Sequence, residues 1–409
     1  MRALKNILCL DDFEPAARRR LPLPIFGYIS GGAERNASME DSMTSFGEYC
    51  FRPRTLVDVS GRTCRTSLFG EEYAAPIGIA PIGISAIAAY RGDIALAAAA
   101  CAEQVPFIMS GASLIRLEEV AEVYPKMWFQ AYLPGDESRL IALVERVRAA
   151  RIRTLVLTVD TCVQANRENN VRVGFSTPLR PSVRLAWQGV THPRWLAGTA
   201  LRTLATHGVP HFENSLAVRG VPIISRNATR DFSKRDHLNW KHIELIRRSW
   251  PGNLVIKGIL APSDACLARE HGVDGIVVSN HGGRQLDGAT APLRVLRDVL
   301  DVSGDMTVML DGAVRRGTDV LKAMALGAKA VLIGRPMIYA AAVGGEHGVR
   351  HAIRIVREEI DRDMALLGVP RLEDLNGDAI IRRDKRSRQP SDCLVAVESI
   401  AYGPSLSDV

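Results

Sequence analysis

The chain has 409 residues, 47% apolar content with 6% aromatics, and 52 Lys plus Arg against 45 Asp plus Glu, for a net charge of +7. That size and apolar fraction fit a soluble globular enzyme of one large domain or two ordinary ones, and the positive balance is too slight for a nucleic-acid binder. The seven cysteines, at 9, 50, 64, 101, 162, 266 and 393, contain no C-x-x-C pair, which argues against a zinc site or a disulfide framework and for a reducing compartment.

The first ten residues hold too short an apolar stretch for a secretion signal, and no run of eighteen apolar residues is long enough for a membrane span. Residues 1–70, with Leu21-Pro22-Leu23-Pro24 and Gly31-Gly32-Ala33, are expected to form short helices and a hairpin packed around the rest of the chain. From about residue 75, short apolar runs alternate with helical patterns. The runs predict strands at Pro76–Ala80, Pro106–Ser110, Met127–Ala131, Thr154–Asp160, Leu254–Gly258, Gly275–Ser279, Thr307–Asp311 and Ala330–Gly334. Helices are predicted at Asp93–Gln104, Leu117–Val123, Glu137–Ala150, Ser263–His271, Pro292–Leu300, Thr318–Leu326 and Val349–Leu367.

Eight strand-helix units predict an α/β fold, a (β/α)₈ barrel with an N-terminal helical segment. A doubly wound open sheet is the alternative, but no G-x-G-x-x-G follows the first strand. Residues 1–384 read as one domain and 385–409 as a solvated extension. A long insert, about 169–238, follows strand four. Its stretch 169–212 carries five arginines (Arg172, Arg180, Arg184, Arg194, Arg202), Trp187 and Trp195, and no Asp, Glu or Lys.

Special residues gather just after the strands: Pro81, Ser110, Gln130, Tyr132, Thr158, Asp160, Lys257, Ser279, His281, Asp311 and Arg335. That end of a barrel carries its chemistry. The most informative stretch is Ser279-Asn280-His281-Gly282-Gly283-Arg284-Gln285-Leu286-Asp287. It sets a proton acceptor and a carboxylate-binding guanidinium three residues apart on a glycine-loosened turn. Asp311-Gly312-Ala313-Val314-Arg315 after strand seven and Gly334-Arg335-Pro336 after strand eight match the place where barrels bind phosphate.

The nonapeptide resembles the signature of the FMN-dependent L-2-hydroxy acid oxidase and dehydrogenase family, and further motifs recur in the family's order over roughly residues 15–380. The resemblance implies FMN as cofactor, held by Ala80, Pro81, Ile82, Ser110, Gln130, Thr158, Lys257, Ser279, Asp311, Gly312, Ala313, Arg315, Gly334 and Arg335. It implies His281 as the catalytic base, oriented by Asp160, which would favour its protonated form. Arg167 and Arg284 would clamp the substrate carboxylate, with Tyr28 and Tyr132 bonding the carboxylate and hydroxyl. Taken singly, Lys257 could be a rim ion pair, each tyrosine a packing residue and Asp160 a helix cap.

The implied substrate is a small 2-hydroxy acid of lactate or mandelate type. Ala112 and Gly83 resemble the small residues of mandelate and bacterial lactate dehydrogenases, leaving room for a bulkier side chain. The insert resembles the apolar, basic segment of membrane-bound relatives, which implies a peripheral position on the inner, cytoplasmic face of the cell membrane and a quinone acceptor. A lid or subunit-contact role, with molecular oxygen as acceptor, stays open. The resemblance also implies a homotetramer. A redox-neutral flavin isomerase is the more distant alternative.

Overall fold

The computed structural model describes residues 4–226 and 235–383. The expected 385–409 extension lies outside the described residues. Eight parallel strands form one sheet: β1 (Ile77–Ile79), β2 (Ile108–Ser110), β3 (Trp128–Tyr132), β4 (Thr154–Thr158), β5 (Asn253–Ile259), β6 (Gly275–Val278), β7 (Thr307–Asp311) and β8 (Ala330–Ile333). Their order around the sheet is β1-β8-β7-β6-β5-β4-β3-β2. A single Ile79–Phe107 bridge, with Ile79 N–H donating to the Pro106 carbonyl at 2.8 Å, closes the circle between β1 and β2. The fold is the α/β barrel expected.

The strands read as continuous apolar runs because both faces are covered. β4, β6 and β8 are buried at every position. Val156, Val255, Val277 and Met309 point into the barrel, and Leu155, Ile256, Ile276 and Leu310 pack outward against the helices. Helix α13 (Pro292–Val302) shows the matching helical logic. Proline starts it, and Leu293, Leu296 and Val299 give the three-to-four-residue period of its buried face.

The N-terminal segment does what its composition suggested. A hairpin, Thr66–Leu68 with Glu71–Tyr73, plugs the bottom, sending Leu68 and Tyr73 into the barrel interior and Phe69 against Trp128. Helices α1 (Phe13–Arg20), α2 (Leu23–Ser30) and α3 (Ala37–Ser45) wrap to the opposite rim. The barrel continues with α4 (Gly92–Glu103), α5 (Leu117–Val123) and α6 (Glu137–Ala149), the last capped by the Asp136 carboxylate on Arg139 N–H at 3.0 Å.

Between β4 and β5 the chain forms α7 (Glu168–Val173), α8 (Val183–Val190), α9 (Pro193–Trp195), π-helical Leu196–Leu201 and α10 (Arg202–His207) before α11 (Trp240–Ser249). The strand-helix reading missed α11, which is the barrel's own helix after β4. The chain then runs through α12 (Pro262–Glu270), α13, α14 (Gly317–Leu326) and α15 (Arg335–Leu367). The last is broken at Gly345, where φ is 58°. One expectation for the insert is corrected. Trp195 is half-buried and its indole N–H donates to the Ile87 carbonyl at 2.7 Å, so it anchors the insert to the barrel. Trp187, 65% exposed, is the tryptophan that faces outward.

Candidate active site

The residues after the strands converge on one cleft of about 220 Å³ at the C-terminal end of the barrel. Of the residues singled out in the sequence, Tyr28, Ala80, Pro81, Ile82, Tyr132, Thr158, Arg167, Lys257, His281, Arg284, Asp311, Gly312, Ala313, Arg315, Gly334 and Arg335 line it. Asp160, Ser110, Gln130 and Ser279 stand just behind the lining and bond to it or to each other.

His281 opens the turn after β6 with a left-handed backbone (φ 57°), fixed by its N–H donating to Ser279 Oγ at 3.0 Å. The turn needs glycine next. A Cβ on Gly283 (φ 71°) would lie 2.6 Å from the Met39 nitrogen, so the turn sits directly against α3. Asp287 accepts from the N–H groups of Arg35 and Ser38 at 3.0 and 2.9 Å, seating the start of α3. Asn280 donates to Ser42 Oγ at 2.9 Å. Half of the signature peptide therefore serves to dock the N-terminal segment that delivers Tyr28.

His281 Nδ1 and Asp160 Oδ1 are 2.8 Å apart. An Nδ1–H donated to the carboxylate leaves Nε2 as the proton acceptor. Burial holds the imidazole below its ordinary pKa, and the upward pull of Asp160 does not overcome it. Asp160 favours the protonated form, as expected, but burial outweighs it. The neutral form, the one able to act as a base, predominates at neutral pH. Burial alone would raise the Asp160 carboxyl, but the His281 charge and hydrogen bond outweigh it and keep Asp160 ionised.

On the cleft floor, Lys257 Nζ lies 2.6 Å from Asp311 Oδ2 and 2.8 Å from Ser279 Oγ, and Ser279 donates to Asp311 at 2.7 Å. Burial would strip the Lys257 proton, yet Asp311 and then Asp160 raise its pKa above the ordinary value. A buried ammonium is thus held in place as a fixed positive charge.

Arg167 donates to the Arg284 carbonyl at 3.0 Å and to Gln285 Oε1 at 2.7 Å, while Gln285 Nε2 donates to the Asp160 carbonyl at 2.9 Å. Gln285 therefore ties the arginine pair to the histidine-aspartate pair. Sequence reasoning passed over it, although it stands inside the signature peptide. Arg284 lies 4.9 Å over the Tyr28 ring and donates to Gly31 O at 2.7 Å. Burial, then the Arg167 charge, pushes its pKa down to about 9, still charged at neutral pH. Arg335 donates to Ile29, Gly282 and Gly31 carbonyls at 3.1, 2.9 and 3.1 Å, so it also pins the N-terminal segment to the rim.

Among the described residues, Arg167, Arg235, Lys257, Arg284, Arg315 and Arg335 line the cleft against a single carboxylate, Asp311. Such a balance favours anionic ligands. Gln130 is fully buried beside Ser110, whose hydroxyl donates to Gln130 Oε1 at 3.1 Å, while its Nε2 has no partner among the described residues. A buried amide donor seldom stays unpaired. A flat ring carrying carbonyl and nitrogen acceptors, with a phosphate reaching the loops after β7 and β8, fits both observations. Gly312 and Ala313 have positive φ there, and Gly334 precedes the first turn of α15.

Comparison with known proteins agrees. The family model for FMN-dependent dehydrogenases matches residues 17–382. An L-lactate dehydrogenase of Xanthomonas campestris pv. campestris (strain B100) is 38% identical over 381 residues, 92% of this chain and 97% of that protein. An L-lactate dehydrogenase of Pectobacterium atrosepticum is 37% identical over 380 residues, with the same coverage. The structure of a monotopic membrane protein, (S)-mandelate dehydrogenase, superposes with a TM-score of 0.84 at 32% identity, covering 93% of this chain and 100% of that one. A mandelate oxidase with (S)-2-phenylpropionate superposes with a TM-score of 0.75 at 33% identity, covering 92% and 98%. Its sequence, its barrel and its basic cleft make this chain a member of the FMN-dependent dehydrogenase family.

Proposed function

We propose that the protein oxidises an L-2-hydroxy acid to the 2-oxo acid, with His281 as the base that takes the substrate's proton. The observation that carries this reading is the 2.8 Å His281–Asp160 pair opening onto a cleft lined by arginines and Lys257. Bound FMN supplies the two-electron acceptor. Ala80, Pro81, Ile82, Ser110, Gln130, Thr158, Lys257 and Ser279 hold its ring, and Asp311, Gly312, Ala313, Arg315, Gly334 and Arg335 hold its ribityl chain and phosphate. Lys257 would supply a fixed positive charge beside the ring, which would favour its reduced form.

Arg167 and Arg284 clamp the substrate carboxylate, and Tyr28 and Tyr132 bond its carboxylate and hydroxyl. This grip fixes which face of Cα meets the ring, and so the L hand. His281 Nε2 receives the proton, and Asp160 stabilises the imidazolium that forms. Ala112, beside Gly83 in the wall, leaves space for a side chain larger than methyl. Anaerobic bleaching of the flavin by L-lactate and L-mandelate, with the D acids as controls, tests the reading.

The acceptor we favour is a membrane quinone, with the barrel docked peripherally on an anionic, cytoplasmic-side surface. No helix among the described residues is long and apolar enough to cross a membrane. The support is the outer face of the insert, where Val183, Trp187 and Val190 are 88%, 65% and 62% exposed among exposed Arg180, Arg184 and Arg194. The second reading is a soluble oxidase that passes electrons to oxygen. It is favoured by the mandelate oxidase structures at 33% identity.

A further inference from the structure

The insert has two parts with different surroundings. Between 183 and 209 it exposes Val183, Trp187, Val190, Leu201 and Leu204. On either side it is built into the barrel. Val173, Phe175 and Leu179 before that stretch, and Phe212 and Ile223 after it, form a separate buried cluster with Ile84 and Leu114. Those two belong to the loops after β1 and β2. Leu179 N–H donates to Ile223 O at 2.7 Å, and Ile223 N–H to Pro210 O at 2.8 Å, so both arms meet on one residue.

The second arm carries Glu213-Asn214-Ser215, which grips the loop after β2 at four points. Glu213 N–H donates to Ser113 O at 3.2 Å. Asn214 Nδ2 donates to Ile115 O at 2.6 Å, and its Oδ1 accepts from Leu117 N–H at 2.9 Å. Ser215 Oγ donates to Gly111 O at 3.1 Å. Arg146 clamps the arm from outside, donating to Glu213 O at 2.7 Å and to Asn214 Oδ1 at 3.3 Å, itself held by both oxygens of Glu118. Leu117 N–H lies in the first turn of α5, where no side chain of the helix's own N-cap serves it, so Asn214 supplies that cap from elsewhere in the chain. Asn214 is completely buried although it comes from an insert. The gripped loop carries Ala112, which faces Gly83 across the cleft wall: a Cβ on Gly83 would lie 3.0 Å from the Ala112 methyl.

We propose that Asn214, seconded by Ser215, is a positioning residue for the pocket wall. By fixing the 111–117 loop it sets the space offered to the substrate's side chain. The size-selectivity part rests on the reading of the cleft as a hydroxy-acid site; the fixing of the loop does not. Truncating the amide leaves Leu117 N–H without its partner and Ile115 O with only the Ser113 hydroxyl at 3.3 Å, and the loop gains freedom that the arginines, carried by the loops after β4 and β6, do not share.

The test uses the FMN-loaded protein carrying Asn214→Ala, with Ser215→Ala as the milder companion. Hydrogen exchange over 111–117 should speed by about tenfold or more in Asn214→Ala, with the amides of β3 and β4 unchanged and FMN retained. Anaerobic reduction should show KM for L-mandelate shifting by about tenfold relative to KM for L-lactate, with limiting rates altered less. Ser215→Ala should move both readouts the same way and less far. Equal losses with both acids, or exchange unchanged at 111–117, would overturn the proposal. If neither acid reduces the flavin of the unaltered protein, the substrate reading fails, and exchange then decides the loop claim alone. Should Asn214→Ala not fold, Ser215→Ala decides on the same criteria.

Discussion

His281 and Asp160 stand 121 positions apart in the chain and share a 2.8 Å hydrogen bond at the cleft. Burial and Asp160 pull the imidazole in opposite directions, and burial wins. On the proposed reading the histidine acts as the base from its neutral form, and its aspartate orients it and stabilises the charge it acquires. Replacing His281 with Ala should leave FMN bound and lower the rate of flavin reduction by about 10²–10⁴-fold or more. Rapid-reaction spectrophotometry measures this, and near-normal reduction would remove His281 from its role.

The direction of the pKa shift fixes the pH dependence. A base must be neutral to act, so kcat/KM should hold level from below about pH 9, where Arg284 keeps its charge, down past neutrality. It should fall only as pH drops through the His281 value, below the ordinary 6.5. Asp160→Asn removes the one neighbouring charge that raises that value. Its acid limb should therefore move to still lower pH while the rate falls by about 10²-fold. A limb that moves toward higher pH would contradict this assignment.

Lysine cannot reproduce the planar two-point grip of a guanidinium. Arg284→Lys and Arg167→Lys should each raise KM for the acid and slow reduction. Arg167→Lys should also disturb His281 through Gln285, because Arg167 donates to Gln285, which holds the Asp160 carbonyl. Unchanged kinetics in both variants would place the carboxylate elsewhere.

Lys257→Met leaves the Asp311 carboxylate buried without its ion partner. Breaking a buried pair of this kind costs about 3–5 kcal/mol. The expected result is a lower Tm for the apo-protein and weaker retention of FMN, read by calorimetry and by flavin titration. Equal Tm and equal flavin affinity would show that the pair carries neither load.

For the insert, replacing Arg180, Arg184, Arg194 and Arg202 with Gln, together with Trp187→Ser, should move protein from the membrane pellet to the supernatant. Each arginine near an anionic surface contributes about 1 kcal/mol. These positions leave Glu213, Asn214 and Ser215 untouched, so electron transfer to an artificial soluble dye should continue at a similar rate. Deleting the whole insert is a different experiment, since it removes the arm that holds the pocket wall. Absence of binding to anionic liposomes at low salt by the unaltered protein would favour the oxidase reading.

Much of this was legible in the sequence because the barrel's period is strong. Strands buried on both faces write themselves as continuous apolar runs, and β7 falls at the predicted residues. Many lining residues were found because they sit directly after those runs, whereas Tyr28 and Arg167 were found through the family resemblance. What was missed had no such address. Gln285 works through side-chain bonds to partners far away in the chain. Asn214 is an ordinary asparagine in a stretch judged by its charge, and nothing local marks it as buried. Trp195 was grouped with Trp187 by composition, whereas tertiary packing separates them. Helix α11 was hidden because its apolar pattern begins directly after the insert.

The most direct measurement is anaerobic mixing of the FMN-loaded protein with L- and D-lactate and L- and D-mandelate, watched at the flavin's visible band. At least one L acid should bleach the band, its D partner should not do so at a comparable rate, and His281→Ala should abolish the effect. A yellow protein whose band no L-2-hydroxy acid reduces, or reduces equally well without His281, would contradict the assignment of this cleft as a hydroxy-acid oxidation site.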